Sequence, residues 1–113
     1  MDQAEAVTAL GALAQETRLS VFRLLVRAGP QGMIAGAIAM HKGVPVSTMS
    51  HHLAILERAD LVVSRRESRH IHYTANFDGM RGLLGFLLED CCQGNPDLCG
   101  DLLSPAICES AAS

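Results

Sequence analysis

Residues 45–63 read PVSTMSHHLAILERADLVV. Met49, Leu53 and Leu56 recur at i, i+4 and i+7, one helical stripe suited to a core, while Ser47, Thr48, Ser50 and His51 crowd the other side near the helix start. That outer face is small, polar and nearly uncharged. A face meant only for solvent usually carries Glu and Lys; short hydroxyl and imidazole groups suit a helix whose N-terminal end must come close to base edges. An ordinary amphipathic helix would show the same apolar spacing, so the neighbouring sequence has to separate the two.

Directly after the helix come Leu61-Val62-Val63, then Ser64-Arg65-Arg66-Glu67-Ser68-Arg69, then His70-Ile71-His72-Tyr73-Thr74, a pattern of two short strands around a basic turn. A polar-faced helix ahead of a basic hairpin is the layout of a winged helix-turn-helix. The segment VPVSTMSHHLAILERADLV, followed by SRRESRHIHY, resembles the ArsR/SmtB family of metalloregulatory repressors, and the resemblance runs from about Ala9 to Leu88. It implies a mainly α fold with a β-hairpin wing, a homodimer, and binding to double-stranded operator DNA. On that layout Ser47, Thr48, Ser50 and His51 read bases, and Arg65, Arg66 and Arg69 on the wing touch phosphate or a minor groove.

Outward from this centre, Asp2 to Ala14 reads as an Ala-rich helix with Val7, Leu10, Leu13 and Ala14 at helical spacing. A second helix opens at Glu16-Thr17-Arg18, buries Leu19, Phe22, Leu24, Leu25 and Val26, and closes at Gly29-Pro30. Met33 to His41 reads as the first helix of the helix-turn-helix, ended at Lys42-Gly43. Pro45 stands near the first helical position of the reading helix, where a missing N–H costs nothing. Many relatives in the resembled family carry Ser there, so Ser47 or the backbone is expected to cap instead. His52 lies beside the apolar stripe and is expected to pack rather than touch DNA. Phe77 to Cys92 reads as the last helix, with Met80, Leu83, Leu84, Leu87, Leu88 and Cys91 on one stripe; the resemblance puts this stripe and the first helix in the dimer interface. Residues 1–92 are thus expected to form the DNA-binding and dimerisation domain, and residues 93–113 a flexible Cys-containing tail.

The net charge of −3 argues against DNA binding only until the charges are placed. Between His41 and His72 stand five Lys or Arg against three acids, together with all five histidines; from Phe77 onward there are six acids and one Arg81. The middle of the chain faces phosphate and the end does not. With 113 residues and only 4% aromatics, a single small core must be packed by Ala, Leu and Val, and would gain from an interface between two copies. The start Met1-Asp2-Gln3 has no signal-peptide character and no apolar run is long enough to span a membrane, so a soluble, cytoplasmic protein is expected. No phosphate loop, no nucleophile with a base at a recognisable spacing and no prosthetic-group motif is visible, and no enzyme is expected.

All four cysteines fall in the last 23 residues. In a cytosolic chain clustered thiols point to soft-ion binding or redox sensing, and with no Cys-x-x-Cys pair a structural zinc knuckle is disfavoured. The vicinal pair Cys91-Cys92 and the downstream Cys99 offer three thiolates, which suit a thiophilic ion in three-fold pyramidal coordination such as As(III) or Sb(III); Cys108 is left outside this set. Some ArsR relatives hold arsenic through a Cys-x-Cys box before the reading helix, yet residues 33–39 hold no cysteine; zinc-sensing relatives use Asp/His pairs on the last helix, which here has no histidine. What remains looks like the arsenical sensors whose trio is a vicinal pair plus a downstream Cys. Packing cysteines with no sensing role, a thiol redox or persulfide sensor of the same fold, and a small arsenic- or metal-sequestering protein stay open as alternatives.

Overall fold

The computed structural model describes residues 1–89. Five helices and three strands follow in the order α1 (Gln3–Leu13), α2 (Glu16–Ala28), β1 (Met33–Ile34), α3 (Ala35–Lys42), α4 (Val46–Arg58), β2 (Val62–Glu67), β3 (His70–Ala75) and α5 (Phe77–Leu87), with a 3-10 turn at Gly29–Gln31. The mainly α fold with a hairpin wing expected from the sequence is the observed one.

Helix α1 starts at a capping box: the Asp2 carboxylate accepts from the Glu5 amide at 2.8 Å and the Glu5 carboxylate from the Asp2 amide at 3.0 Å. Its core-facing stripe is Ala6, Ala9 and Ala12. Val7 and Leu10 stand exposed, at 62% and 42%, on the outer side of the helix. Alanine brings α1 close against its neighbours, and the bulkier side chains are left facing away from the protomer's own core. In α2 the core is made by Val21, Phe22, Leu24 and Leu25; Leu19, expected inside, is exposed, and Val26 is half-buried.

The segment expected to open the helix-turn-helix as one helix from Met33 is split. Met33 and Ile34 form a strand paired antiparallel with Tyr73 and His72 of β3, and α3 begins only at Ala35. Gly32 sets this up: its φ of +68° is a left-handed conformation, and a Cβ there would collide with the Tyr73 carbonyl oxygen. The sheet order is therefore β1-β3-β2. Helix α3 ends on Gly43 in the left-handed region, the expected stop.

Helix α4 buries Met49, Leu53 and Leu56 completely, as the spacing predicts. They join Val21, Leu25, Ile38, Leu61 and Val62 in the centre of the core. The corner after α4 is locked to the start of α5 by Asn76, whose side-chain N–H donates to the Asp60 carbonyl at 2.9 Å while its oxygen accepts from the Gly79 amide at 3.1 Å. A side chain at Gly79 would run into that same Asp60 carbonyl, so glycine permits the close approach. Helix α5 runs to Leu87 with Leu88 as its C-cap, shorter than the helix to Cys92 expected from the stripe. Cys91, Cys92, Cys99 and Cys108 lie outside the described residues. Among the described residues no helix is long and apolar enough to cross a membrane.

Candidate nucleic-acid interface

Because Met49, Leu53 and Leu56 fix which side of α4 turns inward, Ser47, Thr48, Ser50 and His51 are all presented to solvent around its first two turns. The side-chain hydrogen bonds made from α4 among the described residues belong to His52, Glu57 and Arg58, so Ser47, Thr48, Ser50 and His51 keep their polar groups available. Ser47 does not cap the helix. Pro45 itself is the N-cap, at φ −61° and ψ 149°, one position earlier than expected, and its carbonyl accepts from the Met49 amide at 3.0 Å. No side chain satisfies the amides of the first turn and no acid stands there, which leaves the positive end of the helix dipole open to an anion. Two exposed residues were not picked out from the sequence. Arg58 continues the outward column of Ser47 and His51 at i+11, and Val46 presents an apolar surface beside Ser47. The column spacing would have found the first; nothing in the local pattern marks the second.

The wing is longer than its sequence suggests. Strand β2 continues through Glu67, so Arg65 and Arg66 are strand residues and only Ser68-Arg69 forms the turn, with Ser68 at φ +56°. Alternation then separates the arginines. Arg65 lies opposite His72, on the face shared with Glu67 and His70; Arg66 lies opposite Ile71, on the face whose base is the buried pair Val62 and Ala75. Arg65 is ion-paired to Glu67 at 3.1 Å, whereas Arg66 and Arg69 have no ion-pair partner among the described residues. Ser64 donates to the Glu57 carboxylate at 2.7 Å, fastening the base of the wing to the end of α4. Burial, with Glu57 adding to it, pushes the Tyr73 phenol above its ordinary value, so it stays protonated.

Between the start of α3 and the wing runs an open groove of about 400 Å³, lined by Ile34, Ala35, Gly36, Ser50, Arg69 and Tyr73 among others. No side chain caps α3, and the first residues of that helix line this groove together with Arg69. An uncapped helix start, a reading-helix serine and an unpaired guanidinium around one groove suit a sugar-phosphate strand.

His52 is half-buried beside the stripe, with its Nδ1 at 3.4 Å from an Arg18 guanidinium nitrogen. Burial first, then Arg18 and His51, hold its pKa below the ordinary histidine value, so at neutral pH it is uncharged and accepts from Arg18. It packs, as expected, and does not join the reading face. Among the described residues no group of three or more His, Cys, Asp or Glu is placed to hold a metal ion.

A reading helix with an open polar face, flanked by a basic hairpin over a shared core, defines a DNA-binding winged helix-turn-helix regulator. Known proteins agree. Residues 13–65 match the family model described as a helix-turn-helix domain. The chain is 31% identical over 87 residues to the transcriptional repressor SdpR of Bacillus subtilis, covering 77% of this chain and 93% of that one. It is 35% identical over 78 residues to the nodulation protein NolR of Rhizobium meliloti, a match covering 69% of this chain and 62% of NolR's length. Among solved structures, the homodimeric winged helix-turn-helix DNA-binding domain of Mb0332 from Mycobacterium bovis, described as a possible ArsR-family regulator, superposes with a TM-score of 0.63 at 25% identity, over 81% of this chain and 85% of that one. HlyU from Vibrio cholerae, solved in a form described as reduced, gives 0.58 at 32% identity over 74% of this chain and 88% of its own. A protein described as a possible transcriptional regulator for arsenical resistance gives 0.62 at 28% identity, over 70% and 79%. The chain belongs to the ArsR family of winged helix-turn-helix transcriptional regulators.

Proposed function

We propose that two copies of this chain repress an arsenic-resistance operon by binding its operator, and that As(III) or Sb(III) held by Cys91, Cys92 and Cys99 releases them. The observation that carries the sensing half is the placement of every cysteine in the last 23 residues, with the vicinal pair three residues beyond Leu88, the C-cap of α5. Three thiolates from a vicinal pair and a downstream residue match the soft, three-coordinate chemistry of trivalent arsenic. The structural relative described in connection with arsenical resistance supports the same reading.

In the proposed dimer, Val7 and Leu10 of α1 and Leu87 of α5, all exposed in the protomer, meet the partner subunit. The two reading helices then address half-sites about one helical turn, ~34 Å, apart. Residues 1–92 would fold and assemble, and residues 93–113 would bring Cys99 to the vicinal pair. A ligand pulling there acts on α5, whose other end is tied through Asn76 to the corner after α4. A coupling of ~1–3 kcal/mol, typical of such linkage, lowers operator affinity about 5–150-fold.

The vicinal pair would also serve a thiol redox sensor, and the reduced form of HlyU among the structural relatives favours keeping that second reading. Titrating the reduced protein on its DNA with As(III), Sb(III), Zn(II), Cd(II) and peroxide separates them. Release by As(III) and Sb(III) alone supports the arsenical sensor; release by peroxide and not by As(III) selects the redox sensor and overturns the first.

A further inference from the structure

One guanidinium joins three helices. Arg18, in the first turn of α2, donates from Nε to the Ala12 carbonyl at 2.7 Å, one of the carbonyls left without a helical partner at the end of α1. Its neighbouring nitrogen lies 3.4 Å from His52 Nδ1 on α4. The Gln15 side chain accepts from the Arg18 backbone amide at 2.8 Å, which fixes the root of the side chain as well. On the α1 side the residues at hand are small: Ala9 and Ala12 face the core, and Thr8, Gly11 and Ala12 line a groove whose α4 wall is Ile55 and Arg58. Small side chains permit sliding, whereas a charged hydrogen bond has one geometry.

We propose that Arg18 is a positioning residue for DNA reading, setting the reading helix against α1 by gripping the Ala12 carbonyl and His52 together. His52 follows directly on His51 in the sequence, with ring centroids 6.1 Å apart, so a shift of His52 moves the reading face with it. The tie holds only while Nδ1 carries a lone pair, with the proton on Nε2; a second proton would set two cations against each other. The charges bearing on His52 are Arg18 from α2 and His51 from its own helix; α1, α3 and β2, also packed on α4, contribute none among the described residues. Sequence-specific binding is therefore expected to weaken as acid protonates His52.

This inference rests on the DNA-reading function, so the test begins with a duplex selected from a random pool by the wild-type protein and a scrambled duplex of equal length. A pool that yields no enriched sequence takes down both. With a selected duplex in hand, Arg18→Met should bind the scrambled DNA as the wild type does and lose about tenfold of its preference for the selected one, the order expected for a lost charged hydrogen bond. His52→Asn keeps an acceptor near the Nδ1 position and cannot take up a proton. At pH 7.5 it should match the wild type; between pH 7 and 5 the wild type should lose more of its preference than His52→Asn does. His41, His51, His70 and His72 are present in both proteins, so only the difference between the two profiles bears on His52. Coincident profiles, or an Arg18→Met protein with unchanged preference, would overturn the proposal. Should Arg18→Met fail to fold, the pair of pH profiles decides alone.

Discussion

Removing the wing arginines one at a time should give unequal losses, because the hairpin sets them in different surroundings. Each phosphate neutralised by a protein cation contributes about 0.9 to the slope of log affinity against log salt, so one lost contact changes the dependence between 50 and 200 mM salt by about 3.5-fold. Arg66 and Arg69 carry no ion pair among the described residues, and Arg69 lines the groove between α3 and the wing. Arg66→Ala and Arg69→Ala should therefore each reduce the slope by about one, on specific and random DNA alike. Arg65 is held by Glu67 at 3.1 Å, on the opposite face of the ribbon from Arg66. Its charge is already partly spoken for, so Arg65→Ala should cost less than half as much slope, and Glu67→Ala should strengthen binding to any duplex. Fluorescence anisotropy on a labelled duplex across that salt range reads all four variants. Equal slopes lost at Arg65 and Arg66, or weaker binding after Glu67→Ala, would refute the assignment of the two faces.

Base reading should behave oppositely: His51→Ala should cost ~1–3 kcal/mol on the selected duplex with little change on scrambled DNA, and equal losses on both would remove it from the reading face. Leu87 is 48% exposed in the protomer, so Leu87→Asp should leave the fold cooperative and abolish the dimer in sedimentation; a variant that stays dimeric places the interface elsewhere. His52 has a native pKa below its unfolded value, so the unfolded chain takes up the proton first as pH falls. The stability it supports is fully present above about pH 6.5 and is lost as pH drops through the lower native value. Urea midpoints between pH 7.5 and 5 should show this loss in the wild type and less of it in His52→Asn; parallel curves would mean His52 does not sense the fold.

How far the sequence could be read depended on how each signal is written. The stripe of Met49, Leu53 and Leu56 is long, apolar and regular, and it separated the buried side of α4 from its exposed side correctly. The helical spacing of Val7 and Leu10 in α1 did not say which residues face the protomer's own core, because close helix packing there selects the small Ala6, Ala9 and Ala12. Strand β1, at two residues, is too short to show an alternation, and it pairs with a partner almost forty positions later. The true wing turn, Ser68-Arg69, contains none of the Gly, Asn or Asp that mark tight hairpins, so the polar run before it read as loop. The packing role of His52 was legible from its place beside the stripe; its partner Arg18, 34 residues away, was not. The cysteine site rests on sequence alone, since its residues lie outside those described.

The most direct test of the account is arsenic release from DNA by four single variants of the reduced protein. Cys91→Ser, Cys92→Ser and Cys99→Ser should each bind the selected duplex as the wild type does, because none stands near the reading helix or the wing in sequence, and each should stay bound when As(III) is added, because a hydroxyl is a harder and far less acidic donor than a thiol. Cys108→Ser, outside the three-thiol set, should release like the wild type. Release by As(III) from the Cys91→Ser or Cys92→Ser protein at the wild-type concentration would contradict the three-thiol site.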